Sequence, residues 1–85
     1  MKIKLKYFSM IKDATGKSEE ILEIDRSADE SFTLHDLFNH MVSVYPPLKN
    51  YESDLRFALN LEYVTSTDTV CDGDEVAFIT PVSGG

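Results

Sequence analysis

The residues of this sequence with the clearest chemical potential are the last six, Thr80 to Gly85, which read TPVSGG. A sheet is expected to stop at Pro81, and extension at roughly 3.3–3.6 Å per residue would carry the tail about 20 Å outward. The final two residues lack Cβ atoms, so a terminal carboxylate could enter a channel too narrow for other residues. ATP can convert that carboxylate into an acyl-adenylate, from which a sulfur or amine nucleophile displaces AMP. The alternative is a frayed chain end that happens to be Gly-Gly.

Other patterns that could do chemistry are weak. The acidic residues of segment 72–75 lack the spacing of an EF-hand and indicate a solvated turn. His35 and His40 are five positions apart on a predicted helix and share no face, and Cys71 has no basic neighbour in sequence that would activate its thiol. We therefore expect no metal site, and the sequence has none of the nucleophile-and-base sets or phosphate loops typical of an enzyme.

Composition and charge restrict the class of partner. The 85 residues, of which 42% are hydrophobic, suffice for one domain with a modest core. A formal net charge of −7 disfavours nucleic acids and anionic membranes; it favours a protein partner with a basic surface, or it serves solubility alone. The single cysteine indicates a reducing compartment. No signal peptide is visible and no segment approaches the ~20 apolar residues of a membrane helix, so we expect a cytoplasmic protein.

The elements that must position the tail begin with a strand. Residues 2–10 are predicted as a half-buried strand with period-two alternation, and Phe8 is an apolar residue on the face that otherwise carries lysines. Residues 11–17 are typical of a turn, with Gly16 at the expected positive φ. Residues 19–25 alternate again, so the two segments predict an antiparallel hairpin.

The clearest element is a helix. Thr33 is a good N-cap residue, and Asp36 stands three positions later, where its carboxylate can accept from the open N–H groups. Apolar residues then recur over 34–45 at helical spacing. Pro46 predicts the end of the helix, and residues 48–54 are predicted to be irregular.

The remaining segments complete a sheet. Residues 56–60 alternate, 61–64 resemble a tight return into a short edge strand, and 76–79 are apolar enough for the middle of a sheet. The order of elements predicts an α+β fold in which one main helix packs on a mixed sheet of about five strands. We expect a folded domain over 1–80 and a flexible, extended Gly-Gly tail over 81–85.

Five short segments of the sequence match the pattern of a known family: YF at 7–8, YP at 45–46, ALN at 58–60, EYV at 62–64 and DGDEVAFITPVSGG at 72–85. Together they resemble the β-grasp, ubiquitin-like family of sulfur carriers, and within it the small subunits of molybdopterin synthases. The last segment is the most specific, because it is similar to the family's ending G-D-E-V-A-…-P-P-V-[ST]-G-G. Thr80 departs from that pattern, since the family usually has a proline there. The resemblance covers nearly the whole chain, apart from the loop at 47–55.

This resemblance implies a role for each residue of the tail. Gly85 would be adenylated by a ubiquitin-activating-type enzyme that uses ATP and would then become a thiocarboxylate, with no cofactor bound permanently. Gly84 would fit the partner's channel, and Pro81, Val82 and Ser83 would form the extended lead-in. The partner would be the large synthase subunit, in a heterotetramer of two small and two large subunits. On the large subunit, the sulfur would pass to cyclic pyranopterin monophosphate, and two transfers would build the dithiolene of molybdopterin. The resemblance therefore also implies that the catalytic residues lie on the large subunit.

The resemblance also implies a docking patch formed by Phe8, Tyr63 and Ile79, which match positions that the family presents to its partners. The alternative is that these three residues extend the core. Two other functions stay open at this point. The chain could be a sulfur carrier for thiazole synthesis or tRNA thiolation, although thiazole carriers are generally shorter and tRNA-thiolation carriers tend to have His where this chain has Ser83. It could also be a ubiquitin-like interaction module that never forms an adenylate.

Overall fold

The computed structural model describes residues 1–25 and 31–80 of the chain. In chain order the elements are β1 (Lys2–Tyr7), α1 (Met10–Thr15), β2 (Glu19–Glu23), α2 (Leu34–Val44), a 3-10 helix (Pro46–Tyr51), β3 (Arg56–Leu59), β4 (Glu62–Val64) and β5 (Glu75–Ile79).

The five strands form one mixed sheet in the order β2-β1-β5-β3-β4. β1 and β5 run parallel to each other, and the other three neighbouring pairs are antiparallel. β5 lies in the middle, paired with β1 on one side and β3 on the other, and its residues Val76 and Phe78 are buried in the core. This is the β-grasp arrangement, and it confirms the predicted fold class.

Helix α2 begins with a capping box that the sequence predicts. The Asp36 backbone N–H donates to Thr33 Oγ1 over 3.2 Å, and the Thr33 N–H donates to Asp36 Oδ2 over 3.0 Å. The helix ends at Val44, directly before Tyr45 and the two prolines. His35 and His40 are both exposed, as expected.

The core between α2 and the sheet is built around aromatic rings. Phe78 of β5 lies at its centre, with ring centroids 5.9 Å from Tyr7, 5.4 Å from Phe57 and 6.5 Å from Phe38 of α2. Edge-on and tilted contacts of this kind add to the stability that comes from burying apolar area. They hold the helix against the three central strands.

Two segments differ from the sequence predictions. Residues 10–15 form α1, although the sequence predicts Met10 at the end of the first strand and 11–15 in a turn. The helical turn buries Ile11 in the core and lets Thr15 Oγ1 donate to the Ile11 carbonyl over 3.1 Å. Gly16 then ends α1 at φ 76°, so the predicted positive φ is confirmed. The segment predicted as irregular belongs largely to the 3-10 helix, which buries Leu48 completely.

A partly buried carboxylate joins β1, β2 and the end of α2. Glu20 of β2 accepts hydrogen bonds from the hydroxyls of Tyr7 and Tyr45, and its other oxygen lies 3.4 Å from Lys17 Nζ. Burial would raise the pKa of Glu20, but the two tyrosine hydroxyls and the Lys17 charge outweigh burial and hold the pKa below its usual range. Burial and the Glu20 carboxylate raise the pKa of Tyr7, so its hydroxyl stays protonated and donates.

This network predicts a specific dependence of stability on pH. Because the pKa of Glu20 is lower in the folded protein than in the unfolded chain, its contribution is complete above the unfolded pKa and is lost as the pH falls through the folded value. Glu20→Gln should lower the free energy of unfolding by about 1–2 kcal/mol at neutral pH, since a neutral acceptor forms weaker hydrogen bonds. Denaturant unfolding measured from pH 7 down to acid pH should show that the difference in free energy of unfolding between wild type and Glu20→Gln becomes smaller. Glu19→Gln, at the exposed neighbouring position, is the control, and a difference that stays constant with pH would contradict the assignment.

Candidate functional site

The outer face of the sheet, away from α2, carries a continuous group of apolar side chains on its β5-β3-β4 half. It consists of Phe8, Ala58, Leu61, Tyr63, Ala77 and Ile79, and we refer to it as the apolar surface. Strand register explains the grouping, since Ala77 pairs with Ala58 and Ala58 pairs with Tyr63 in one row across the three strands. The β1-β2 half of the same face differs, because its cross-strand pairs join lysines of β1 to glutamates of β2, with Ile21 as the exposed apolar exception.

The apolar surface contains a shallow groove of about 210 Å³. The two alanines form its floor because their side chains are short, and the larger apolar residues form its walls. Lys6 and Glu75 close one side, with Nζ and Oε1 3.6 Å apart. A groove of this shape can receive one or two apolar side chains of a partner beside a charged rim.

The three residues of the predicted docking patch all line this groove. Phe8 is 46% exposed and Tyr63 is 75% exposed, so neither belongs to the buried core. The outward position of Phe8 follows from the alternation of β1, which buries the preceding residue, Tyr7. The Phe8 backbone N–H donates to the Phe78 carbonyl over 3.2 Å. Ser9, at φ 51°, then turns the chain into α1. The structure thus brings the three residues together, and their role in docking stays a prediction.

Leu61 was not predicted to belong to this surface. It is 86% exposed, and it occupies the second position of the two-residue connection between β3 and β4. The sequence did predict a tight return at this point, and a large apolar residue in such a turn is the signal that could have identified it.

A second concavity, of about 360 Å³, lies between the start of α2 and strands β3 and β4. Its polar lining includes His35, Glu52 and Arg56. It has no open helix N-terminus, because the N–H groups of Leu34 and His35 donate to loop carbonyls over 3.0 and 2.9 Å. Within residues 1–25 and 31–80, no group of three His, Cys, Asp or Glu side chains is placed to hold a metal ion.

The tail joins the domain directly beside the apolar surface. Ile79 is the last residue of β5 and lines the groove, and Thr80 is buried after it. The predicted reactive and tail residues, Pro81, Val82, Ser83, Gly84 and Gly85, lie outside the described residues. In the part of the chain that the structure describes, no helix has the length and apolar character needed to cross a membrane.

Comparison with known proteins gives consistent matches along the chain. The model of the ThiS family matches residues 5–85. The molybdopterin synthase sulfur carrier subunit of Chlamydomonas reinhardtii is 37% identical over 87 residues, covering 100% of both chains. The structure of the putative molybdopterin converting factor, subunit 1, from Pyrococcus furiosus has a TM-score of 0.79 at 27% identity and covers 96% of this chain and 99% of that chain.

The fold is also shared with a chain of the complex between subunits 1 and 2 of molybdopterin-converting factor from Helicobacter pylori. That match has a TM-score of 0.66 at 21% identity and covers 100% of both chains. The identity is low enough that this likeness shows the fold alone. The family match over residues 5–85, together with the β-grasp sheet, establishes that the chain belongs to the ThiS family.

Proposed function

We propose that this chain is the sulfur carrier subunit of a molybdopterin synthase and that Gly85 carries the sulfur. The observation that supports this most strongly is the match over the full length of a relative that has this function in its name. The family match extends through Gly84 and Gly85. The apolar surface beside the end of β5 is consistent with a carrier, because one part of the molecule can dock while another part reacts.

The chemistry begins at the carboxylate of Gly85. On an activating enzyme of the ubiquitin-activating type, a carboxylate oxygen attacks the α-phosphorus of ATP, so that an acyl-adenylate forms and pyrophosphate leaves. A sulfide-equivalent nucleophile then attacks the carbonyl carbon and AMP leaves, which produces a thiocarboxylate. ATP is consumed in this step, and no cofactor stays with the carrier.

The second stage takes place on the large synthase subunit. The tail enters its active site, and the thiocarboxylate sulfur forms a bond to a carbon of cyclic pyranopterin monophosphate. A carbon–oxygen bond at that same carbon breaks, and the oxygen leaves with the electron pair. Water cleaves the resulting thioester, so the sulfur stays on the pterin and Gly85 regains its carboxylate. Two such transfers supply both sulfurs of the dithiolene, and we assign the general base to the large subunit.

The partner and the assembly are part of the proposal. The Helicobacter pylori structure that shares this fold is titled a complex of subunits 1 and 2, which supports a large subunit as the partner. The net charge of −7 favours a partner with a basic surface. We propose a heterotetramer of two small and two large subunits.

Intact-mass spectrometry tests the first stage. Incubation of the purified chain with an activating enzyme, ATP and a sulfur donor should increase its mass by the difference between one sulfur atom and one oxygen atom. The same incubation without ATP is the control, and fragmentation should place the change at Gly85. An unchanged mass with an enzyme that is active on another carrier would contradict the carrier function and favour a plain interaction module.

An assay of the second stage distinguishes a molybdopterin synthase carrier from the other kinds of sulfur carrier. The thiocarboxylated chain, mixed with the large subunit and cyclic pyranopterin monophosphate, should yield molybdopterin. A chain that gains sulfur but transfers none to the pterin would instead point to thiazole synthesis or tRNA thiolation.

A further inference from the structure

The connection between β3 and β4 places a large residue in a backbone conformation that suits it poorly. Asn60 has φ 50° and Leu61 has φ 74°, so both central residues of this two-residue connection are at positive φ. This is the pattern of a type I′ turn, which favours Asn followed by Gly. Asn60 fits the rule. Leu61 does not, because its Cβ atom makes the left-handed conformation unfavourable.

The turn is held firmly despite this strain. The Asn60 side chain donates to Asp74 Oδ1 over 3.1 Å and accepts from the Glu75 N–H over 3.0 Å, while the Asn60 N–H donates to the Glu75 carbonyl over 2.8 Å. These contacts attach the turn to the start of β5. Leu61 is therefore presented on a fixed backbone.

The stability of the isolated domain gives no reason for a leucine at this position. Its side chain is 86% exposed, so it buries little apolar area, and the backbone strain is unfavourable. An exposed apolar residue does not favour solubility either. Strained residues that the fold maintains without benefit to the core are typical of binding sites.

We propose that Leu61 is a binding anchor that enters an apolar socket on the protein that receives the tail, and that this socket is bordered by basic side chains. The inference rests on the proposed function, which makes that protein the large synthase subunit. Leu61 lies at the Glu75 end of the groove, and Ile79 lies at the end from which the tail departs. The strand between them is about 13 Å long at ~3.3 Å per residue, so one interface of ordinary size can cover Leu61 and the tail exit together.

The charges around the turn indicate the border of the socket. The partly exposed carboxylate of Asp74 is bonded to this turn, and Glu75 lines the groove at the same end as Leu61. Opposite charges on the partner would complement them and would accelerate association at low salt.

Substitution by glycine separates binding from folding. Leu61→Gly should raise the Tm by a few degrees, because glycine relieves the strain at positive φ. It should also weaken binding to the large subunit of the same organism by at least about tenfold, as expected for loss of an anchor that is buried in the complex. Leu61→Met should retain most of the affinity, since it preserves an apolar side chain of similar size. Calorimetric titration and thermal melts measure both properties.

Ile21→Ala is the matched control, because Ile21 is also apolar and 60% exposed but lies on the β1-β2 half of the outer face. It should leave the affinity unchanged. If wild type binds the large subunit and Leu61→Gly binds equally well, the assignment of Leu61 as a binding anchor is wrong, while the proposed function stands. If wild type does not bind the large subunit, the proposed function fails, and this inference fails with it. A Leu61→Gly variant that loses stability as well as affinity would mean that Leu61 supports the fold.

Discussion

Removal of Gly85 is expected to abolish thiocarboxylate formation and sulfur transfer while the domain folds as before. The deletion withdraws the carboxylate by roughly 3.3–3.6 Å, and adding one residue after Gly85 displaces it by the same distance in the other direction. Either change moves the reacting carbon out of reach of a nucleophile that must approach within bonding distance. In the part of the chain that the structure describes, the buried hydrophobic core runs from Ile3 to Phe78, and we expect the Tm to change by no more than a degree or two.

Intact-mass spectrometry and a molybdopterin assay measure this effect, and a thermal melt serves as the folding control. Val82→Ala is the matched variant, because it changes the tail's composition and keeps its length. It should retain most of the sulfur transfer. Normal molybdopterin synthesis by both length variants would overturn the assignment of Gly85.

Replacement of Phe8 by Asp is expected to weaken binding to the large subunit by ~2 kcal/mol or more, which is about 30-fold in Kd. Phe8 forms part of the wall of the groove, and an aspartate there would place a charge against the partner's apolar side chains. Because Phe8 is already 46% exposed in the isolated domain, its loss should affect the melt much less than the affinity.

Ile21→Asp provides the comparison, since it introduces the same charge at an exposed apolar position on the other half of the sheet. Titration calorimetry should show wild-type affinity for that variant. Unchanged affinity for Phe8→Asp together with a collapsed melt would place Phe8 in the structural core and remove it from the docking patch.

Much of the fold could be predicted from local patterns. The alternation of β1, the Thr33 capping box and the Pro46 stop each depend on residues close together in sequence, so their physical causes are visible in the chain itself. Helix α1 could not be predicted in the same way. Six residues are too few for intrinsic propensity to specify a helix, and α1 is stabilised by the burial of Ile11 against distant parts of the chain.

The sequence by itself identified the candidate reactive residues, Gly84 and Gly85. The length of the tail and the absence of Cβ atoms at these two positions depend only on which residues the tail contains. The sequence also determined the main helix and the alternation that leaves Phe8 facing outward. The family resemblance already grouped Phe8, Tyr63 and Ile79, but the residues' own pattern did not, because their strands come from distant parts of the chain. Only the tertiary structure showed the strand register that brings them together and added Leu61 to the same surface. The backbone strain at Leu61 could not be predicted from the sequence either, because its positive φ is imposed by strand pairing and by the hydrogen bonds that hold the turn to β5.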